Sequence, residues 1–242
     1  MPEAPVPLVT VLVAAYNGAA TLPGALESAL AQDVAPRAHV LVVDDGSTDD
    51  TPRIARRYAG RVQLVTQPHQ GLAAACNTGV AAVRSPYVAR LDADDTVRPG
   101  WLRRTVACLE PHPEAWGAAP DYVEVWPDGR RTRRVVEPDN LYSWLACGTV
   151  IRTSALRAVG GVRPMYWEEY DLYLRLRDLG PLLRVPEALY EYRKHAAAMT
   201  ADAEARRAGW RQLLDAWGAE RLQAAGACPE LADVLAQEAA RS

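Results

Sequence analysis

Over its first hundred residues the chain alternates short apolar runs of strand length with stretches of helical period, and that rhythm leaves few folds open. Leu8–Ala15 (LVTVLVAA) is apolar at almost every position, as a strand covered on both faces must be. His39–Val43, Val62–Thr66 and Tyr87–Leu91 repeat the signal. Between them, Thr21 opens a helix to about Gln32, with Leu22, Leu26, Ala29 and Leu30 on one stripe. Asp50 or Thr51 caps a second helix with Pro52 in its first turn, and Leu72–Val83 reads as an Ala-rich third. Strands and helices in alternation predict βαβ units: an α/β fold, Rossmann-like, with a mainly parallel sheet flanked by helices.

After Pro99 the rhythm changes. Trp101–Leu109 has helical spacing, and Pro127-Asp128-Gly129-Arg130 marks a hairpin between Tyr122–Trp126 and Arg131–Val136. Thr149–Arg152 reads as a strand before a short helix capped by Thr153 or Ser154, and Glu168–Leu179 as an amphipathic helix. From Ala201 two helices are expected, broken near Cys228-Pro229. The organisation is therefore a main unit at 1–200 and a helical extension at 201–242, packed on that unit or on a second subunit. Monomer and homodimer are both compatible with this reading.

A net charge of −3 argues against non-specific nucleic-acid binding, which calls for a basic face. No apolar run approaches the roughly 20 residues of a membrane span. The longest, Leu8–Tyr16, also lacks the basic flank of a signal peptide, so a soluble, cytoplasmic chain is expected, with membrane contact peripheral at most. Cys76, Cys108, Cys147 and Cys228 lie far apart without a CxxC pair, which predicts reduced thiols rather than a zinc site or disulfide framework.

In an open α/β sheet, ligands bind at the carboxyl ends of the parallel strands. Three polar clusters fall there: Tyr16-Asn17, Asp44-Asp45-Gly46-Ser47 and Asp92-Ala93-Asp94-Asp95. Converging carboxylates repel one another and resist desolvation unless a cation or donor groups compensate. Several acids aimed at one crevice point to a hard divalent ion, Mg²⁺ or Mn²⁺, with positions left for a substrate diphosphate. Asp49 and Asp50, just before Thr51-Pro52, read instead as helix-capping residues.

These residues resemble glycosyltransferase family 2, the inverting enzymes of GT-A fold. The matching pieces occur in order: VLVAAYNG (11–18), VVDDGSTDDT (42–51), QGLAAACNTG (70–79), YVARLDADD (87–95), RAVGGV (157–162), WEEYDLYLRL (167–176) and EYRKH (191–195). The resemblance implies a nucleoside-diphosphate sugar donor, a UDP-sugar above others, and a hydroxyl acceptor on a saccharide or lipid-linked saccharide. It implies that Asp44 binds the base, that Ala15, Tyr16 and Asn17 line the base and ribose pocket, and that Asn77, Arg90 and Ala93 belong to the donor side. Asp92 would bond the ribose or sugar, Asp94 would ligate the metal with Asp95 behind it, and His195 would join the metal or the diphosphate. Glu169 inherits the role of base, with Asp171 as fallback. Trp144, Gly148, Trp167 and Glu168 would form the acceptor side.

Two departures stand out. Glu169 occupies a place where the family usually has Asp, and Cys76 one where it often has Arg near the donor phosphates. Either Arg90 or a main-chain group replaces it, or the donor binds more weakly. The departures keep a rival in view, a nucleotide-sugar-binding or scaffold protein impaired in transfer. A second rival is a phosphatase read from Asp92-Ala93-Asp94-Asp95-Thr96, which would need a lysine, and Lys194 is the chain's only one. Arg130, Arg131, Arg133 and Arg134 on the hairpin read either as a solvated face or as a patch for an anionic acceptor.

Overall fold

The computed structural model describes residues 7–33, 38–195, 202–226 and 228–239. Four parallel strands come first: β1 (Val9–Ala15), β2 (Ala38–Asp44), β3 (Val62–Thr66) and β4 (Tyr87–Arg90), in spatial order β3-β2-β1-β4. Helices α1 (Leu22–Leu30), α2 (Thr51–Arg56) and α3 (Leu72–Ala82) connect them. The register aligns Ala15 with Asp44 and Leu12 with Arg90, so three strands deliver their polar ends to one edge.

β1 shows why the apolar run is continuous. Val9, Val11, Val13 and Ala15 enter one core with α1, α2 and α4 (Trp101–Leu109), while Leu12 enters a second with α3 and the C-terminal helices. Both faces are buried, so alternation with polar residues would place a polar group in a core.

The second half of the sheet is mixed. β8 (Val150–Arg152) pairs antiparallel with β4, and β6 (Gly117–Val125) antiparallel with β8 and with β7 (Arg131–Arg134). β9 (Leu182–Arg193) runs parallel to β6 with register shifts on either side of Asp121, and β5 (Thr96–Val97) closes the edge on β9. No apolar alternation announces β9: Pro186 and Glu187 interrupt it where the strand is irregular. The hairpin arginines are engaged: Arg131 with Glu191, Arg133 with Asp121, Arg134 with Glu124, and Arg130 over the Trp126 ring. They form a paired face, not an open anionic-acceptor patch.

Helix α5 is Thr153–Ala158 and α6 is Glu168–Arg177. The C-terminal segment has three helices rather than two: α7 (Ala203–Trp217), α8 (Ala219–Gln223) and α9 (Pro229–Ala239). Gly218, at φ +74°, ends one and begins the next. Trp210, Leu213, Leu222, Leu231 and Val234 share a core with Leu41 and Trp116, so these helices pack on the main unit. The expected boundary at 200/201 lies outside the described residues. Among the described residues, no helix is long and apolar enough to cross a membrane, and the four cysteines are unpaired.

Helix α3 crosses β1 so closely that a Cβ on Gly79 would lie 2.2 Å from Leu12 Cδ1. Leu12 is buried, in the core that α3 shares with the C-terminal helices. Alanine would gain about 1 kcal/mol in helix propensity, yet overpacking a filled core costs about 1–3 kcal/mol and wins. Gly79→Ala is expected to lower stability in urea denaturation, and Gly79→Ala/Leu12→Val to be more stable than the two single losses summed.

Candidate active site

The loops after β1 and β2 are cross-linked before any ligand is considered. Asn17, at φ +50°, accepts from the Thr48 N–H through Oδ1 (2.9 Å), and its own N–H donates to Ser47 Oγ (2.9 Å). Asp45 is buried and gathers the 67–71 loop: it accepts from Gln67 Nε2 (2.7 Å), Gln70 N–H (3.0 Å) and Gly71 N–H (2.8 Å), with His69 Nδ1 at 2.9 Å. Burial would raise its pKa, but those donors hold it below the usual value. His69 in turn stacks on the exposed Tyr16 ring, centroids 3.9 Å apart. Asp44 is buried beside this hub and accepts from the Ser47 N–H (3.3 Å). Asp49 caps as read, accepting from the Thr51 N–H (2.9 Å), but it also accepts from the Ala19 N–H after β1 (3.1 Å). Asp50 stands at the N-cap position of α2, yet its carboxylate pairs with Arg53 (2.6 Å) and caps no backbone N–H.

The acidic loop after β4 distributes its three carboxylates. Asp92 receives the Arg90 guanidinium (Nε to Oδ1, 2.8 Å), and Asp94 Oδ2 lies 2.8 Å from His195 Nε2. Asp95 is buried and accepts from the Tyr190 hydroxyl (2.6 Å) and the Arg193 N–H (2.7 Å). Desolvation, with Asp92 and Asp94 adjacent, pushes its pKa well up.

Facing this loop is the N-terminus of α6. Arg90 Nη1 reaches Glu168 Oε1 at 3.1 Å, so one buried guanidinium binds a carboxylate on each side. Among the described residues Glu169 pairs with no cation, and its one polar contact is a long bond from the Ala146 N–H (3.4 Å). Burial and the charge of Glu168 raise its pKa to about 8. Cys76 lies buried beside Arg90, its thiol pushed up to about 11 by burial. The positive charge near Cys76 is thus supplied by β4, but as a strut between carboxylates.

Two cavities share Leu72, Asp92, Asp94, Arg193 and His195. The larger, about 680 Å³, continues past Ala14, Tyr16, Asn17, Gly18 and Ala93. The deeper, about 150 Å³, is lined by Arg90, Glu168, Glu169, Tyr166, Trp167 and Tyr192. Asp92, Asp94 and His195 offer carboxylate oxygens and an imidazole on the shared wall, a donor set suited to a hard divalent ion. Asp92, Asp95 and Cys147 also bring a ligand atom each within 4.8 Å of one another, but sulfur is a soft donor, less suited to Mg²⁺ or Mn²⁺ than the carboxylate oxygens.

Several expected site residues lie elsewhere. Asn77 turns away from the cavities and clamps Val162, donating to its C=O (2.7 Å) and accepting from its N–H (2.8 Å). Trp144 is core, 1% exposed, its indole bonded to Thr149 Oγ1 (2.8 Å). Gly148 sits beneath Tyr190, where a Cβ would come within 2.7 Å of the ring. Asp171, the expected fallback base, is fully buried and lines neither cavity, bound instead by Arg175 (2.7 Å), Arg163 (3.4 Å) and the Trp217 indole (3.1 Å). Ala15 is buried, and its neighbour Ala14 lines the groove instead. Lys194 lies 4.0 Å from Glu124 and over the Trp126 and Tyr192 rings, so it is committed away from Asp92.

Residues the sequence reading missed are Leu72, Tyr166, Tyr192 and Arg193 in the walls, and His69 under Tyr16. The alternation of Tyr190, Tyr192 and Lys194 against Glu191 and Arg193 was the available signal for the end of β9.

A family model described as "Glycosyl transferase family 2" matches residues 10–165. The succinoglycan biosynthesis protein ExoO of Rhizobium meliloti (strain 1021) is 47% identical over 103 residues, 42% of this chain and 29% of that protein. A chondroitin synthase of Escherichia coli is 30% identical over 207 residues, 76% of this chain and 29% of that protein. The matches thus cover under a third of either relative's length. Among solved structures, S. aureus TarS 1-349 in complex with UDP-GlcNAc superposes with a TM-score of 0.70 at 20% identity, over 97% of this chain and 73% of that one. Mannosyltransferase PcManGT from Pyrobaculum calidifontis, in complex with GDP-Man and Mn²⁺, gives 0.67 at 20% identity, over 97% and 80%. The fold is that of these GT-A proteins, and with its ordered motifs, its acidic loop and the matched family model, the chain belongs to glycosyl transferase family 2.

Proposed function

We propose that this chain transfers a sugar, with inversion, from a nucleoside-diphosphate sugar to a hydroxyl of a saccharide or lipid-linked acceptor. The observation that carries the reading is a pair of cavities that share the wall of Asp92, Asp94 and His195, the smaller lined by Glu169, which pairs with no cation among the described residues. A UDP-sugar is the favoured donor, and assembly of a cell-surface polysaccharide or glycolipid the favoured setting. The UDP-GlcNAc complex of TarS and the names of the succinoglycan and chondroitin relatives support these choices.

Asp94 and His195 would hold a divalent ion, Mn²⁺ or Mg²⁺, with Asp92 toward the ribose or sugar. When bound, the ion supplies Lewis-acid charge to the departing diphosphate. The larger groove takes the nucleotide, with Tyr16 as an exposed aromatic platform and Asp44 behind it. Inversion needs a base opposite the leaving group. Glu169 takes the proton of the acceptor hydroxyl as its oxygen bonds the anomeric carbon and the diphosphate leaves with the C–O electron pair. Arg90 occupies Glu168, so of the two adjacent glutamates only Glu169 is unneutralised. Tyr166 and Trp167 wall the acceptor side.

Titration calorimetry of UDP, GDP and dTDP, with Mn²⁺ and with EDTA, is expected to show metal-dependent binding of one nucleotide that Asp94→Ala abolishes. Binding of none under either condition would overturn the transferase reading. Glu169→Gln is expected to lower kcat by about 10²–10⁴-fold while nucleotide affinity stays within about threefold. Turnover that survives this change would remove Glu169 as base; binding without turnover in the wild type would favour the impaired scaffold. The base works deprotonated, and burial with Glu168 favours its protonated form. The kcat/KM of the wild type should therefore rise about tenfold per pH unit up to a midpoint near 8 and level off above it. A limb near pH 4 would place the base outside this buried pair.

A further inference from the structure

We propose that Arg193 is the side chain that grips the diphosphate of the donor, an assignment that rests on the nucleotide-sugar reading above. Among the described residues, three basic side chains line the two cavities: Arg90, Arg193 and His195. Two of them are already committed. Arg90 divides its guanidinium between Asp92 and Glu168, and His195 lies against Asp94. Cys76 brings no charge, being a buried thiol. The nearby Arg98 and Arg131 are both spent on Glu191.

Arg193 alone keeps its guanidinium free of any carboxylate, although three aspartates lie in the adjoining loop. Its backbone is not free: the N–H donates to Asp95 Oδ1 (2.7 Å), and Tyr190 on the same strand donates its hydroxyl to Asp95 Oδ2 (2.6 Å). The last turns of β9 are therefore pinned to the acidic loop, which fixes where the side chain starts. The residue is exposed and is among the five that line both cavities.

Charge balance explains why an unpaired arginine belongs at this place. Asp92, Asp94, Glu168 and Glu169 line the cavities, and a diphosphate adds further negative charge to the same walls. A guanidinium presents a rigid fork that matches two phosphate oxygens at once, and it stays charged at any working pH. If it were bound to an aspartate, a donor would have to break that pair before entering. The recognised chemistry is the diphosphate, not the base or the sugar.

The test uses whichever of UDP, GDP and dTDP binds wild type best, beside its own nucleoside, in titration calorimetry with Mn²⁺. Arg193→Ala is expected to weaken the diphosphate by about tenfold to a hundredfold and to leave the nucleoside within about threefold. Arg193→Lys should fall between, because it keeps the charge and loses the fork. Arg193→Ala binding the diphosphate as tightly as wild type, or losing nucleoside and diphosphate equally with an unchanged melting temperature, would overturn the assignment. Wild type that binds no nucleotide at all would instead overturn the transferase reading on which it rests.

Discussion

Five carboxylates, those of Asp92, Asp94, Asp95, Glu168 and Glu169, are brought to one edge of this sheet, and a single buried guanidinium, that of Arg90, makes their convergence tolerable. A desolvated carboxylate without a partner is driven to take up a proton. Arg90 neutralises Asp92 in the loop after β4 and Glu168 at the start of α6, at 2.8 and 3.1 Å. Asp95 is managed differently, by the Tyr190 hydroxyl and the Arg193 N–H. What remains uncompensated is Glu169, whose proton affinity is raised, and the Asp94–His195 pair facing the groove. The positions to which the proposed reading gives a function are those that the internal neutralisation leaves over.

The surrounding architecture serves to hold those groups at fixed distances. Asp45 ties the 67–71 loop to the end of β2, and Asn77 ties α3 to the strap at Val162 that leads toward α6. From the other side, Trp210 of α7 packs against Trp167 and Tyr170, while Trp217 bonds Asp171. The C-terminal helices therefore buttress the helix that carries Glu168 and Glu169. A residue type that chemistry would welcome in a site can equally be the fastening behind it, and Asn77 and Asp171 are such fastenings.

The parallel half of the fold was legible because its signal is local: β1, β2 and β4 carry apolar residues on both faces, and each helix repeats its stripe within a few residues. The boundaries of β3, α3 and α4 fall within one residue of the expected ones. β9 escaped because it is irregular beside β6 and carries Pro186, so its pattern reads as loop. The acidic loop was legible because three acids in four positions after a buried strand form a local pattern, although the sequence did not show that one of them, Asp95, fastens β9 to the loop. Trp144 was misplaced from the sequence because tryptophan suits a core and a sugar platform equally, and only its 1% exposure separates the two.

By itself the sequence determined the alternating βαβ rhythm, the polar ends of β1, β2 and β4, and the identity of the acids gathered there, since periodicity and strand polarity are properties of neighbouring residues. Only the tertiary structure decided which of those groups are spent and which are left free. Arg90 meets Glu168 across 78 positions of chain, and Asp94 meets His195 across 101. Whether a charge is paired depends on such distant contacts and on the water they exclude, and no local pattern encodes either.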